Sequence, residues 1–406
     1  MSSIRFIHTA DLHLDSPFKG MTGLSTAALQ TVRNSTFAAF HRLIEHAVAS
    51  KPDFVVIVGD VYDGEDRSLR AQLKFQQGME RLHEAGIPVI LSYGNHDHLS
   101  GNWTRFKLPP NVYECKEHVD KVTLTVRGQE VSLYGFSYPQ RHIRQEMVSQ
   151  FPVATERNAF HIGLLHGSQS GNETHDVYAP FTIDELLAKQ YDYWALGHIH
   201  LRQHLHEDPP IVYPGNLQGR HRNEAGEKGF YEVELSKTEA AFTFVPTSAI
   251  QFATLRIPCQ QLRHVNELLE TIQQAIEAFL TENGPAILDL ELQQFDANSA
   301  SLVEQNEEEL LMEMLTEQLE GHETFVSVQR LTSVNNYRAA GEHDALVTSI
   351  LAQMDRWELD EWHEQLEDVY SNVRTRRYVE RLTEEQVQTI RQRAEQLLLN
   401  ELQAEK

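Results

Sequence analysis

Ile4-Arg5-Phe6-Ile7-His8-Thr9-Ala10-Asp11-Leu12-His13 begins with a short apolar run and ends on an aspartate and a histidine. The arrangement returns four times. Phe54–Val58 leads into Gly59-Asp60-Val61-Tyr62-Asp63, and residues 89–93 lead into Gly94-Asn95-His96-Asp97. Residues 162–165 lead into His166-Gly167, and residues 194–196 into Gly197-His198-Ile199-His200. Runs of this length and composition read as strands. The loop after a strand's carboxyl end is where an α/β sheet builds its site. Carboxylates, an amide oxygen and imidazoles, with no sulfur, suit hard or borderline divalent cations rather than a structural zinc. One such match would mean little; five in order predict a dinuclear metal centre.

Outward from these strands, residues 27–50 and 68–85 carry helical periodicity, the second closed by Gly86 and Pro88. Alternating strands and helices imply a layered α/β domain over residues 1–250. Residues 122–126 and 131–136 flank Arg127-Gly128-Gln129 as a hairpin, and 211–213, 229–235 and 241–245 also read as antiparallel, so mixed sheets are expected. After Pro246 the pattern resets. Strands at 251–257, 287–292 and 324–331 with helices at 265–280 and 301–319 predict a small α+β domain over 251–335. Residues 336–406 are expected as a helical region with amphipathic helices at 357–373 and 383–402. The second carries Val387, Ile390, Ala394 and Leu397 at spacings of three and four, behind a capping box of Thr383 and Gln386.

The formal charge of −24 is uneven: residues 1–250 hold 23 Lys+Arg against 29 Asp+Glu, residues 251–406 hold 12 against 30. Of the 21 histidines, 17 lie in the first 250 residues, so the metal chemistry and the acidity belong to different regions. An acidic chain is not a general nucleic-acid-coating protein, which needs a basic surface. It can still be an enzyme whose metals supply the local positive charge. Cys115 and Cys259 show no CxxC spacing and read as inert thiols. With no run of about 18 apolar residues and a first strand that begins at once, a cytoplasmic location is expected.

Paired divalent ions activate water and clamp the oxygens of an in-line displacement, which makes phosphoester hydrolysis the reaction class. Across residues 1–220 the chain resembles the calcineurin-like metallophosphoesterases. Within them it looks most like the SbcD-type DNA-repair exonuclease subunits, in particular the YhaO branch. The residues that carry this are Asp11-Leu12-His13-Leu14-Asp15-Ser16-Pro17, Gly59–Gly64, Gly94–Asp97, Ala195–His200 and Tyr213-Pro214-Gly215-Asn216. The resemblance implies one metal on Asp11, His13 and His200, another on Asn95, His166 and His198, and Asp60 bridging. It gives His96 the role of general acid toward the leaving oxygen, which suits a pKa near neutrality. Mn²⁺ is the first expectation, with Mg²⁺, Fe²⁺ and Zn²⁺ as alternatives. It further implies a DNA exonuclease acting 3′→5′ on duplex ends, a capping domain at 251–335, and an SbcC-like coiled-coil ATPase docked on the C-terminal helices. A homodimer is compatible with it.

Asp63 departs from relatives that carry histidine at this position; phosphatases of the superfamily carry aspartate. An aspartate could bond His96 and fix its tautomer, with Asp97 as the alternative. A small-molecule phosphodiesterase or phosphatase therefore stays open, as does a non-catalytic adaptor for an ATPase, which the complete ligand set disfavours. His8 and His161 read as core residues, His41, His46 and His83 as surface residues. His98 reads as a structural residue, with a role at the substrate as the other reading. His175, Asp176 and Tyr178 read as a surface loop, with the substrate cleft as the alternative. Gly215–Arg222 offers two arginines, as a phosphate contact or as a structural turn. Trp357 and Trp362 read as packing residues. Arg374, Arg376 and Arg377 read as a solvated turn, with a contact to DNA or a partner as the alternative.

Overall fold

The computed structural model describes residues 3–334 except 19–20, 22–23, 65–67, 102–105, 171–177, 297–298, 300–301 and 303–307, together with residues 357, 361–362, 382, 386–387 and 390–391. The chain forms two compact units, one of Met1–Arg256, Leu269–Glu291 and Glu308–Thr332, the other of Ile257–Leu268, Leu292–Glu307 and Ser333–Lys406.

The first unit begins with β1 (Ile4–Ala10), α1 (Thr26–Ser50), β2 (Phe54–Val58), α2 (Leu69–Glu84), β3 (Val89–Ser92) and β4 (Val112–Glu114). Ser25 caps α1 by accepting the Ala28 N–H, and Ser68 caps α2 by accepting that of Ala71. The four strands pair in parallel and in order. A second sheet follows from β5 (Asp120–Val126), β6 (Gln129–Gly135), β7 (Phe160–His166), α3 (Ile183–Leu187), β8 (Tyr193–Gly197), β9 (Gln203–Glu207) and β10 (Pro210–Tyr213). Its order is β5-β6-β7-β8-β10-β9, parallel through β6, β7, β8 and β10 and antiparallel at both edges. The chain then returns to the first sheet, where β11 (Gly229–Leu235) lies antiparallel to β1 and β12 (Ala240–Pro246) antiparallel to β11.

The alternation of side chains along a strand decides the layers. In β2, Phe54, Val56 and Val58 join Phe6, Ile90, Leu133, Phe160, Ile162, Leu164 and Tyr193 in one core between the two sheets. Val55 and Ile57 face the other way, with Phe40, Leu43 and Ile44 of α1 and Phe75, Met79 and Leu82 of α2. The outer face of the second sheet carries Leu165, Trp194, Leu196 and Tyr213 under Tyr138, Phe151 and Leu186. Strands covered on both faces become continuous apolar runs, which is why β2 reads Phe-Val-Val-Ile-Val. Each such side chain contributes roughly 1.5–3 kcal/mol by burial.

A three-stranded sheet of β13 (Gln251–Pro258), β14 (Ala286–Gln293) and β15 (Val326–Val334) follows, in that order. It is interleaved with α4 (Val265–Asn283) and α5 (Glu308–Leu319). Within the second unit, Cys259 is buried and its N–H donates to Gln293 O at 2.8 Å. Trp357 and Trp362 meet edge to face with ring centroids 5.1 Å apart, and Val387 is buried. The rest of the helices expected at 357–373 and 383–402 lies outside the described residues, as do Arg374, Arg376 and Arg377. Among the described residues, no helix is long and apolar enough to cross a membrane.

Candidate metal centre

The loops after β1, β2 and β3 bring Asp11, His13, Asp60, Asn95 and His96 to one end of the first sheet, and β7 and β8 bring His166, His198 and His200 from the second. Asp11, His13, Asp60 and His198 have φ angles of 51°, 41°, 42° and 96°. Non-glycine residues in this left-handed region cost about 1–3 kcal/mol each and gather at functional sites. Glycine is needed beside them. Gly59 has φ 79°, and a Cβ there would lie 1.9 Å from His166 Nδ1; one on Gly94 would lie 2.2 Å from Asp60 Oδ1.

Three overlapping groups of ligand-type atoms lie here, each within 4.8 Å: Asp11 with His13 and His200, Asp11 with Asp60 and His166, and His13 with Asp63 and His96. His13 Nε2 lies 3.0 Å from His200 Nε2, and His166 Nε2 lies 2.9 Å from Asn95 Oδ1. Asp60 Oδ2 stands 3.7 Å from His13 Nε2 and 3.4 Å from His166 Nε2, between the first two groups. Its other oxygen accepts the His96 N–H at 3.0 Å. The His198 ring sits 5.2 Å from the His166 ring, and the His198 backbone N–H donates to Asp11 Oδ2 at 2.9 Å.

These residues fit a pair of divalent ions. Asp11 and Asp60 are buried and, among the described residues, meet histidines but no lysine or arginine. Buried carboxylates require compensating positive charge. Burial lowers the proton affinity of His166, yet Asp60 and Asp11 outweigh it and hold the ring up at about 9. Burial lifts Asp11 to about 6 against the pull of His166 and His200. Dications would meet the same demand with both carboxylates ionised.

A residue the sequence reading did not single out completes the centre. Glu224, 6% exposed, accepts from His200 Nδ1 at 2.6 Å. Its second oxygen accepts from Asn216 Nδ2 and from Arg220 N, both at 2.8 Å. Burial opposes its ionisation, but His200, His221 and Arg220 hold the carboxyl well below its usual range. A carboxylate on Nδ1 fixes the tautomer of His200 and leaves Nε2 as a ligand. A glutamate in a polar loop gives no sequence signal of this; only its place beside Tyr213–Asn216 hints at it. The stretch Gly215–Arg222 also supports the centre, since Arg220 Nη1 reaches Asp63 Oδ1 at 3.2 Å.

His96 occupies the open side of the centre, its side chain 31% exposed. Its Nδ1 lies 3.4 Å from Asp63 Oδ1, which also stands 3.5 Å from His13 Nδ1. Ser16 donates to Asp63 Oδ2 at 2.7 Å. Burial pulls the His96 pKa down, but Asp63 and Asp60 raise it above its ordinary value. Asp97 has a different task. Its carboxylate accepts from the N–H groups of Val61 and Gly94, both at 2.7 Å, and so ties together the loops after β2 and β3.

His8 is buried, with Nδ1 2.9 Å from Tyr193 OH and Nε2 3.1 Å from Leu196 O. His98 is buried beside Ser100. Tyr178, expected in a surface loop, is instead buried, its ring 4.9 Å from that of His198. Its neighbours His175 and Asp176 lie outside the described residues.

The calcineurin-like phosphoesterase family model matches residues 4–202. The chain is similar to the uncharacterized metallophosphoesterase YhaO of Bacillus subtilis (strain 168), at 34% identity over 99% of this chain and 98% of that protein. It is also similar to the DNA double-strand break repair protein Mre11 of Methanocaldococcus jannaschii, at 26% over 57% of this chain and 62% of that one. The Mre11 of Sulfurisphaera tokodaii matches at 25% over half of each. Clustered aspartates and histidines at the ends of five strands, inside a family that typically holds two divalent metals, agree with a match along almost the whole chain: this protein belongs to the calcineurin-like metallophosphoesterases.

Proposed function

We propose that this protein is a DNA exonuclease that hydrolyses phosphodiester bonds at duplex ends, with Mn²⁺ as its working ion. The observation that carries the reading is the likeness to two Mre11 repair proteins, over 242 and 206 residues, beyond what the metal motifs alone cover. Two divalent ions, when bound, would neutralise the phosphate and lower the pKa of the attacking water. Asp11, His13 and His200 would hold one ion and Asn95, His166 and His198 the other, with Asp60 between them. The residues around them do the rest. Asp63 orients His96 and favours its protonated form, so that its proton can pass to the departing 3′ oxygen. Glu224 keeps the His200 ring in one tautomer.

On this reading residues 1–250 are the catalytic domain, 251–335 a cap that shapes access, and 336–406 the docking region for an SbcC-like ATPase. Deleting residues 383–406 should abolish ATPase binding and spare hydrolysis of small diesters. A second reading, a small-molecule phosphodiesterase or phosphatase, is favoured by Asp63 and by the net charge of −24.

The deciding experiment is cleavage of end-labelled duplex DNA in Mn²⁺, beside bis(p-nitrophenyl) phosphate, with His96→Ala as control. Mononucleotides or a ladder, lost in the variant, support the nuclease. Intact DNA with a cleaved small diester, in the presence of the ATPase partner as well, refutes it.

A further inference from the structure

A cavity of about 310 Å³ opens in the first unit along β13–β15 and the 220–222 loop. Three guanidinium groups line it, Arg220, Arg222 and Arg330, against one carboxylate, Asp289. Its floor is apolar: Phe252 and Ile287 are buried and pack with Phe18, Val32 and Ile250. Arg330 Nε lies 3.4 Å from Asp289 Oδ2, so the single carboxylate is engaged. Arg222 is exposed and, beyond its longer-range pull on Asp289, shows no ion pair or hydrogen bond among the described residues. Arg220 connects this space to the metal centre. Its Nη1 rests on Asp63, the carboxylate behind His96, while its buried Nε has no hydrogen-bond partner.

Clustered guanidinium groups with unused donors on an apolar floor match the oxygens of a phosphate, which they can bind through paired hydrogen bonds. We propose that this cavity is a subsite for a second, non-scissile phosphate of the substrate, held by Arg220, Arg222 and Arg330. This rests on the phosphodiesterase reading and narrows it. The favoured substrate carries a further phosphate next to the one that is cleaved, as a polynucleotide does and a simple diester does not.

The test uses the full chain loaded with Mn²⁺ at a fixed free-ion concentration. Inhibition of bis(p-nitrophenyl) phosphate hydrolysis is compared for thymidine 5′-monophosphate, thymidine 3′-monophosphate and thymidine 3′,5′-bisphosphate. The bisphosphate should bind roughly tenfold or more tightly than the better monophosphate, the worth of charge-assisted hydrogen bonds. Arg222→Ala and Arg330→Ala should each bring that ratio down toward one. Because the readout is a ratio, a general loss of activity cancels. Arg222 is exposed, so its truncation leaves the packing intact. Equal inhibition by mono- and bisphosphates in the unmodified protein overturns the subsite, and so does an advantage that both variants retain. An arginine-dependent advantage in a protein that leaves duplex DNA intact would uphold the subsite and remove only the DNA assignment.

Discussion

Replacing Glu224 with glutamine keeps the side chain's shape and changes only its hydrogen-bonding character. The carboxylate serves at least three donors at once, His200 Nδ1 at 2.6 Å and Asn216 Nδ2 and Arg220 N at 2.8 Å each. An amide has one acceptor oxygen. If that oxygen faces His200, the NH₂ group meets the donors of Asn216 and Arg220; if it is flipped, the NH₂ group meets the His200 N–H. At least one buried donor is left unmatched in either orientation, at about 1–3 kcal/mol. The charge that fixes the His200 tautomer is lost as well. The expected result is a ~10–100-fold loss of Mn²⁺ affinity at the His200 position. It should appear in a calorimetric or paramagnetic-resonance titration as one weakened site beside one that is less affected. The Mn²⁺ concentration for half-maximal hydrolysis of bis(p-nitrophenyl) phosphate should rise with it. His221, more exposed at 52%, cannot take over the role. A folded Glu224→Gln protein whose two Mn²⁺ affinities stay within about threefold of the original would refute the support assigned to this carboxylate.

Three further outcomes follow from the geometry. His96→Ala should slow DNA cleavage by roughly 10²–10⁴-fold and slow p-nitrophenyl esters much less, since that leaving group needs little protonation; equal losses on both substrates would deny His96 the proton-donor role. Gly59→Ala forces a Cβ to 1.9 Å from His166 Nδ1 at φ 79°, so a lower melting temperature and loss of bound metal are expected, and an unchanged melt would contradict the packing. Burial holds His8 down at about 3, opposed by its bond to Leu196 O, so its ring should stay neutral in the folded protein well below pH 6.5. Protons then bind the unfolded chain more readily than the fold. The contribution of His8 is complete above its unfolded pKa of about 6.5 and is lost at about 1.4 kcal/mol per pH unit as the pH falls toward the folded value. A His8 ring resonance titrating near pH 6.5 in the folded protein would disprove this.

The strands and their ligands were legible because one property drives both. β2 is covered on both faces, so its sequence is an unbroken apolar run, and β1 departs from one only at Arg5, His8 and Thr9 before the ligands begin at Asp11. The extent of α2 was legible from its periodicity and from Gly86 and Pro88 behind it, within a residue at each end. The return of β11 and β12 to the first sheet, past six intervening strands, was not. Such pairing depends on contacts distant in sequence, and local pattern does not encode it. The supports of the centre were hidden for the same reason. Glu224 read as an ordinary polar loop residue, and Arg220 as part of a stretch for phosphate contact or a turn, until the fold sets them against His200 and Asp63. Tyr178 was misread because polar neighbours suggest exposure, whereas its ring is covered by His142 and His198.

The candidate ligands come from both sheets, and the seam between those sheets is also held by apolar side chains, by the His8–Tyr193 contact and by the backbone N–H of His198 on Asp11. A pair of ions seated there would act as rivets, fastening two independently hydrogen-bonded plates at one edge. Removing them leaves two buried carboxylates side by side at the end of the first sheet, with only histidines to shield them. Chelation should therefore loosen the edge first, raising hydrogen exchange at the ends of β1, β2, β7 and β8 while their middles stay protected. Small slips of one plate over the other would separate His13 from His200 and Asp60 from His166 long before either sheet unravels. Catalysis would then serve as a gauge of how well the two plates are aligned.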